Sequence, residues 1–329
     1  MILAGDIGGT KVQLSLLKSQ KGTARRLRSQ RFESRRYPSL EAVLVDFLGP
    51  RPPRIARACI GVAGPVLDGR CETPNLPWSL DERAMKRLLR TSKVRLLNDL
   101  ESMAYGVLAL GHKDLVVLHP GKRRRGFAAV IAAGTGLGES CLLWDGSRYH
   151  PQATESGHAD FAPRDDLEWG LAGSLRREHG HVSWERVLSG AGLAAAYRHL
   201  VASGAAPAAP AVEEQMRGED PAAVVSRHAL AGTDEGCRRA LDLFASLYGA
   251  QAGNLALEVL ATGGVYLAGG IAPRIVERLR EGGFLRSFRD KGRFAGLLER
   301  IPVRVIVSPR VALLGAAAVG AGLTEGGGR

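Results

Sequence analysis

The 329-residue chain lacks any run of about 18 apolar residues, the length a helix needs to cross a bilayer. No membrane partner is expected. It has only four cysteines, Cys59, Cys71, Cys141 and Cys237, far apart, with no CxxC pair and no neighbouring His cluster. That spacing supports neither a zinc site nor a disulfide framework, and predicts buried thiols in a reduced cytosolic protein. Met1–Asp6 enters an apolar strand pattern directly, without the basic stretch and long apolar core of a secretory signal, so a cytoplasmic location is expected. Acidic side chains are in deficit, 33 Asp and Glu against 45 Lys and Arg, for a formal net charge of +12. A basic surface attracts nucleic acid or acidic small molecules. Here the cations are spread along the chain, with local clusters at Arg25–Arg28 and Lys122–Arg125. No aromatic-interleaved RNA motif or Cys/His finger accompanies them, so nucleic acid is not expected. The Lys122–Arg125 cluster, in GKRRRG, reads as a solvated loop. Attraction of a nucleotide polyphosphate accounts for part of the charge.

What is present is a strand–helix alternation in a chain long enough for two domains. Strand patterns are read at Met1–Gly5, Val12–Leu16, Ile55–Val62 and Val94–Leu97, and helical spacing at Leu40–Leu48, Leu80–Leu89 and Asn98–Leu110. In the second half, an apolar strand at Gly126–Ala133 runs into the loop GTGLGE and a second strand at Ser140–Trp144. The first half carries the same device, apolar strand, DIGGTK loop and second strand, over Ile2–Leu17. A third glycine turn, Gly269-Gly270, follows a strand at Val265–Ala268 and precedes a helical run at Arg274–Leu279. Ser203–Pro221, rich in Ala and Pro, reads as an excursion between helices, and the Gly-rich tail Glu325–Arg329 as disordered.

Glycines let successive backbone N–H groups approach an anion and form a nest, and a loop threonine adds a hydroxyl donor. Asp6-Ile7-Gly8-Gly9-Thr10 fits that task and adds a carboxylate. A carboxylate beside phosphates repels them unless a cation intervenes, so Asp6 suggests Mg²⁺ held through water. A tight hairpin turn explains either loop alone equally well. The residues after Gly9 and after Gly138 alternate as strands, which excludes the helix-opening Rossmann and Walker loops. Two phosphate-type hairpins, one per half, point to a duplicated nucleotide-binding architecture. Asn98-Asp99 sits where an apolar strand ends and a helix starts, the end of an open sheet where ligands bind. On position alone Asp99 is as readily a helix N-cap as a functional group, and the two roles are compatible.

The duplicated hairpins resemble the superfamily of sugar kinases, actin and 70-kDa chaperones. Within it, the motifs DIGGTK, GVAGPV, TPNLPW, LLNDLESMAYG, AAGTGLGES, ESGHADFAP, WERVLSGAGL, LAGGIAPRI, DKGRF and ALLGAAA, in this order from Gly5 to about Gly315, resemble the bacterial glucokinase family. The resemblance implies a two-domain α/β chain of actin-like ATPase (ribonuclease H-like) fold, with duplicated mixed sheets flanked by helices. It implies ATP-dependent phosphorylation of the glucose 6-hydroxyl, with Asp99 as general base. Sugar ligands by resemblance are Asn75, Asn98, Asp99, Glu155, His158 and Glu185, where carboxylates, amides and an imidazole match hydroxyls that both donate and accept. Ser156 stands where the family usually has glycine. Asp6, Gly8, Gly9, Thr10 and Lys11 are assigned to the first phosphate loop, although many glucokinases carry Asn at the position of Lys11. Gly134, Thr135, Gly136 and Gly138 are assigned to the second loop, and Gly269 and Gly270 to the adenosine turn.

The expected domains are 1–109 with about 313–329, carrying the first loop and Asp99, and 110–312, carrying the second loop, the sugar ligands and the adenosine turn, closing together on the sugar. A homodimer is expected because dimers are usual in the family. The rival readings are a kinase of another hexose and a sugar-sensing regulator without catalysis. The second is disfavoured by an Asp99 that coexists with intact phosphate loops, and the repressor branch by the absence of a cysteine-rich motif after His158.

Overall fold

The computed structural model describes residues 1–20, 23–73, 76–122 and 124–322. In chain order its strands are β1 (Ile2–Ile7), β2 (Lys11–Gln20), β3 (Thr23–Glu33), β4 (Arg57–Val62), β5 (Arg70–Glu72), β6 (Ser79–Asp81), β7 (Val94–Asn98), β8 (Leu115–His119), β9 (Ala128–Ala133), β10 (Leu137–Trp144), β11 (Tyr149–Thr154), β12 (Gly264–Ala268) and β13 (Val303–Ile306). The α-helices are α1 (Leu40–Leu48), α2 (Glu82–Leu89), α3 (Asp99–Val107), α4 (Asp166–His179), α5 (Trp184–Val187), α6 (Gly190–Ala202), α7 (Pro210–Gly218), α8 (Pro221–Ala231), α9 (Glu235–Glu258), α10 (Val276–Arg280), α11 (Gly283–Arg289), α12 (Ala295–Leu298) and α13 (Val311–Gly320).

Two mixed sheets result, ordered β3–β2–β1–β4–β7 and β11–β10–β9–β12–β13–β8, beside the short β5–β6 hairpin. The matching device in each is an antiparallel hairpin, β1–β2 and β9–β10, whose first strand also pairs in parallel with a later one, β4 or β12. Successive side chains of a strand face opposite sides. On β1, Leu3 and Ile7 therefore join the α1 core with Val43, Leu44 and Phe47, while Ile2 and Ala4 join Leu313 and Ala316 of α13. By internal contacts the chain divides into two compact units, Met1–Asp114 with Asp145–Ala153 and Ser308–Arg329, and Leu115–Trp144 with Thr154–Val307.

The Ala- and Pro-rich stretch read as an excursion contains a helix, α7. Pro210 stands in its first turn, where a missing N–H costs nothing, and Val212 and Met216 are buried. The helical run expected from Arg274 is a 3-10 turn, Ala272–Arg274, followed by α10. Arg25–Arg28 lies on the edge strand β3, where charge discourages edge-to-edge pairing. Lys122, Arg124 and Arg125 are exposed as expected, Arg123 and the tail lie outside the described residues, and the Arg125 guanidinium stacks on Trp144, 5.5 Å from the ring centroid. All four cysteines are buried and free.

In the second unit the carboxyl of Glu139 is fully buried. Glu139 on β10 accepts a hydrogen bond from Gln251 Nε2 at 2.9 Å, while its Oε2 has no partner, and burial raises its pKa to about 7. A carboxyl that is more readily protonated folded than unfolded favours folding below its unfolded value and loses that advantage as pH rises through its folded value. Glu139→Gln should therefore become increasingly stabilising between pH 5 and 8, reaching roughly 2–3 kcal/mol. Thermal melts of both proteins across that range measure it; a pH-independent difference would remove Glu139 as the cause.

Candidate active site

In the first unit the first loop is a tight reversal between β1 and β2, closed by Gly8 N–H donating to Lys11 O at 2.9 Å. Asp6 ends the α13-facing side of β1, opposite Gln13, and burial lifts its carboxyl pKa to about 6. A cavity of about 430 Å³ opens there, lined by Asp6, Gly8, Thr10, Lys11 and Asp99. Gly9 turns to the other side of the loop, toward Ala63 and Thr73. Asp99 is partly buried at the first turn of α3, directly after β7. The capping role open to it on position alone falls mainly to its neighbour, although Asp99 Oδ1 also accepts from Leu100 N–H at 2.9 Å. Asn98 Oδ1 accepts from Leu100 N–H at 2.8 Å and Glu101 N–H at 3.3 Å, and Asn98 Nδ2 donates to Gly64 O at 3.0 Å. Asn98 is thus committed to the fold through both ends of its amide, with one N–H left for a ligand. Asn75 lies outside the described residues.

The residues fit a magnesium ion that arrives with phosphates. Among the described residues no group of three or more His, Cys, Asp or Glu could hold a metal alone, so a cage made only of protein ligands is absent. Asp6, a carboxylate beside a phosphate-type loop, could supply one of the one or two carboxylates that Mg²⁺ commonly takes beside substrate phosphates and water.

In the second unit the loop at Gly134–Gly136 is held by Gly134 N–H to Gly136 O at 2.8 Å and by Gly190 N–H to Gly134 O at 2.9 Å. Gly138 is already within β10, opposite Ala132. Gly269 has φ +82°, and a Cβ there would lie 2.2 Å from Ala133 O, so only glycine lets this turn close on the end of β9. Leu137, just after the loop, gathers the sugar-ligand candidates. Its N–H donates to Glu185 Oε2 at 2.8 Å. A Cβ on Gly157 would lie 2.1 Å from Leu137 O, so the Ser156–His158 turn sits directly on it. Trp184 N–H donates to Ala159 O at 3.0 Å, and the Phe161 and Trp184 rings meet edge to face at 5.0 Å. Glu155 and His158 are exposed and Glu185 partly buried. Glu185 belongs also to a second cavity of about 430 Å³, with Thr135, His179, Arg186, Ser189 and Arg198.

Two arginines of the first cavity, Arg31 and Arg310, escape sequence reading. Nothing local marks them; each is an exposed Arg outside any glycine motif. The register does, because Asp6 pairs with Gln13 and Gln13 with Arg31.

Comparison with known proteins agrees over nearly the whole chain. The glucokinase family model matches residues 3–322. Glucokinase of Synechocystis sp. is 40% identical over 342 residues, covering 96% of each chain. The crystal structure of glucokinase from an Antarctic psychrotroph superimposes with a TM-score of 0.84 at 31% identity, covering 99% of both chains. A ROK family glucokinase of Streptomyces griseus, solved with glucose and AMPPNP, shares the fold with a TM-score of 0.62 at 21% identity, covering 97% of this chain and 98% of that one. The two mixed sheets with their flanking helices are the actin-like ATPase fold of these kinases. With the family model spanning both phosphate-type hairpins and everything between them, the chain belongs to the glucokinase family.

Proposed function

We propose that Asp99 is the general base of this kinase, which transfers the γ-phosphoryl group of ATP to the 6-hydroxyl of glucose. Asp99 takes the hydroxyl proton as the 6-oxygen bonds to phosphorus; the bond from phosphorus to the bridging oxygen breaks, and ADP leaves with glucose 6-phosphate. Phosphoryl transfer asks little covalent chemistry of a protein and much positioning. The observation that carries this reading is the shared cavity of Asp6, Gly8, Thr10 and Asp99, which places a carboxylate beside a phosphate-type loop. Asp6 would hold Mg²⁺ through water, and that ion, when bound, offsets the charge of the phosphates. Asn98, Glu155, His158 and Glu185 bind sugar hydroxyls in this reading; the loop around Thr135 and the Gly269-Gly270 turn bind the nucleotide. The working domains are 1–109 with about 313–329, and 110–312. The protein acts in glycolysis as a cytoplasmic homodimer; among the described residues no helix is long and apolar enough to cross a membrane.

A coupled ADP-release assay over a panel of hexoses with Mg²⁺ and ATP tests the activity and ranks the substrates. Equal rates on fructose or mannose would overturn the glucose preference. Glu155→Ala and His158→Ala should each raise the glucose KM by about tenfold or more, the worth of one or two charged hydrogen bonds, and leave the ATP KM unchanged. A shifted ATP KM with an unmoved glucose KM would put both residues on the wrong ligand.

A further inference from the structure

The first-unit cavity holds more positive charge than a metal-and-base site needs. Beside the carboxylates of Asp6 and Asp99 it is lined by Lys11, Arg31 and Arg310. Among the described residues, the side chains of these three cations have no hydrogen-bond or ion-pair partner, although carboxylates share their cavity. Elsewhere the arginines pair readily, as Arg95 does with Glu101 and Arg238 with Glu235 and Asp242.

The sheet register explains why Arg31 does not pair with Asp6. Asp6 on β1, Gln13 on β2 and Arg31 on β3 are successive cross-strand partners, so their side chains share one face, with Gln13 between the two charges. Two strand spacings separate the outer Cα atoms by roughly 10 Å. Gln13 Nε2 is turned away, donating to Ser29 Oγ at 2.9 Å. The opposite wall is Pro309, Arg310 and Leu313, at the start of α13. Arg310 directly precedes the first residue of that 10-residue helix, whose positive dipole end adds to its charge. Three cations against two carboxylates leave the cavity net positive, so it can admit an anion that two carboxylates alone would expel.

We infer that Arg310, with Arg31 across the cavity, clamps the terminal phosphates of the ATP donor. This rests on the kinase reading above and extends the phosphate site beyond the glycine loop. A planar guanidinium donates two parallel hydrogen bonds to phosphate oxygens, and the loop N–H groups hold the other side. Arg310 keeps the γ-phosphoryl group in line with the sugar oxygen while Arg31 holds the outer oxygens.

The test is calorimetric titration of the full chain with Mg²⁺–AMPPNP, with AMPPNP in EDTA, and with AMP. Wild type, Arg310→Gln, Arg310→Lys and Arg31→Gln are compared, with melting curves as a check on folding. Arg310→Gln should weaken AMPPNP binding by about tenfold to a hundredfold, with or without Mg²⁺, and AMP binding by less than about twofold. Arg310→Lys should recover part of the loss, and Arg31→Gln should show a smaller loss of the same kind. In steady state, kcat/KM for ATP should fall with the binding loss, with the glucose KM within about twofold of wild type. Equal losses for AMPPNP and AMP, or none for either, would overturn the clamp. If wild type phosphorylates no hexose the kinase reading fails, and the AMPPNP-to-AMP comparison still decides the clamp.

Discussion

Asp99→Asn should lower kcat by about 10³-fold while glucose and ATP binding stay within about threefold of wild type, since a positioned general base contributes 10²–10⁴-fold. The substitution is nearly isosteric and removes the proton acceptor alone. It is clean for a reason the structure supplies. Asn98 caps α3 through Leu100 N–H and Glu101 N–H, and the hydrogen bond that Asp99 Oδ1 also accepts from Leu100 N–H at 2.9 Å can be kept by the amide oxygen of asparagine, so Asp99→Asn does not uncap the helix. Asn98→Ala, by contrast, should cost about 1 kcal/mol of stability as a lost cap. Melting curves and steady-state kinetics on both variants separate the roles. Near-normal kcat in Asp99→Asn would remove it as the base.

Gly315→Ala should destabilise the first unit by about 3 kcal/mol or more, at the upper end of overpacking effects. A Cβ at Gly315 would lie 1.7 Å from Ser102 O, and one at Gly106 would lie 1.9 Å from Val311 O. The α3 and α13 backbones therefore touch, and Ser102 Oγ donates to Ala312 O at 2.8 Å across the crossing. The obstacle is backbone on both sides, so a rotamer change cannot relieve it; the helices must separate. Asp99 opens α3 and Arg310 directly precedes α13, so separation displaces the proposed base and the proposed phosphate contact together. Activity should fall even in the folded fraction. Gly173→Ala in α4 is the control, because its nearest neighbour would be the tip of Arg177 at 3.9 Å, and it should be neutral or stabilising by up to about 1 kcal/mol. A Gly315→Ala protein that melts like wild type would refute the crossing.

The sequence itself determined the parts with a local signature. Strand periodicity and glycine clustering mark both hairpins, and Asn98-Asp99 stands at a strand-to-helix junction that β7 and α3 reproduce. The family follows from motif order along almost the whole chain. A helix hidden in an Ala- and Pro-rich stretch, α7, was obscured because its apolar positions are few and its start is a proline. Tertiary structure alone decided that Glu185 meets Leu137 N–H 48 residues away, and that Arg31 and Arg310 share a cavity with Asp6. The physical reason is range. Periodicity and turn chemistry act over a few residues, whereas a cavity is assembled by sheet register and by a helix that returns from the far end of the chain.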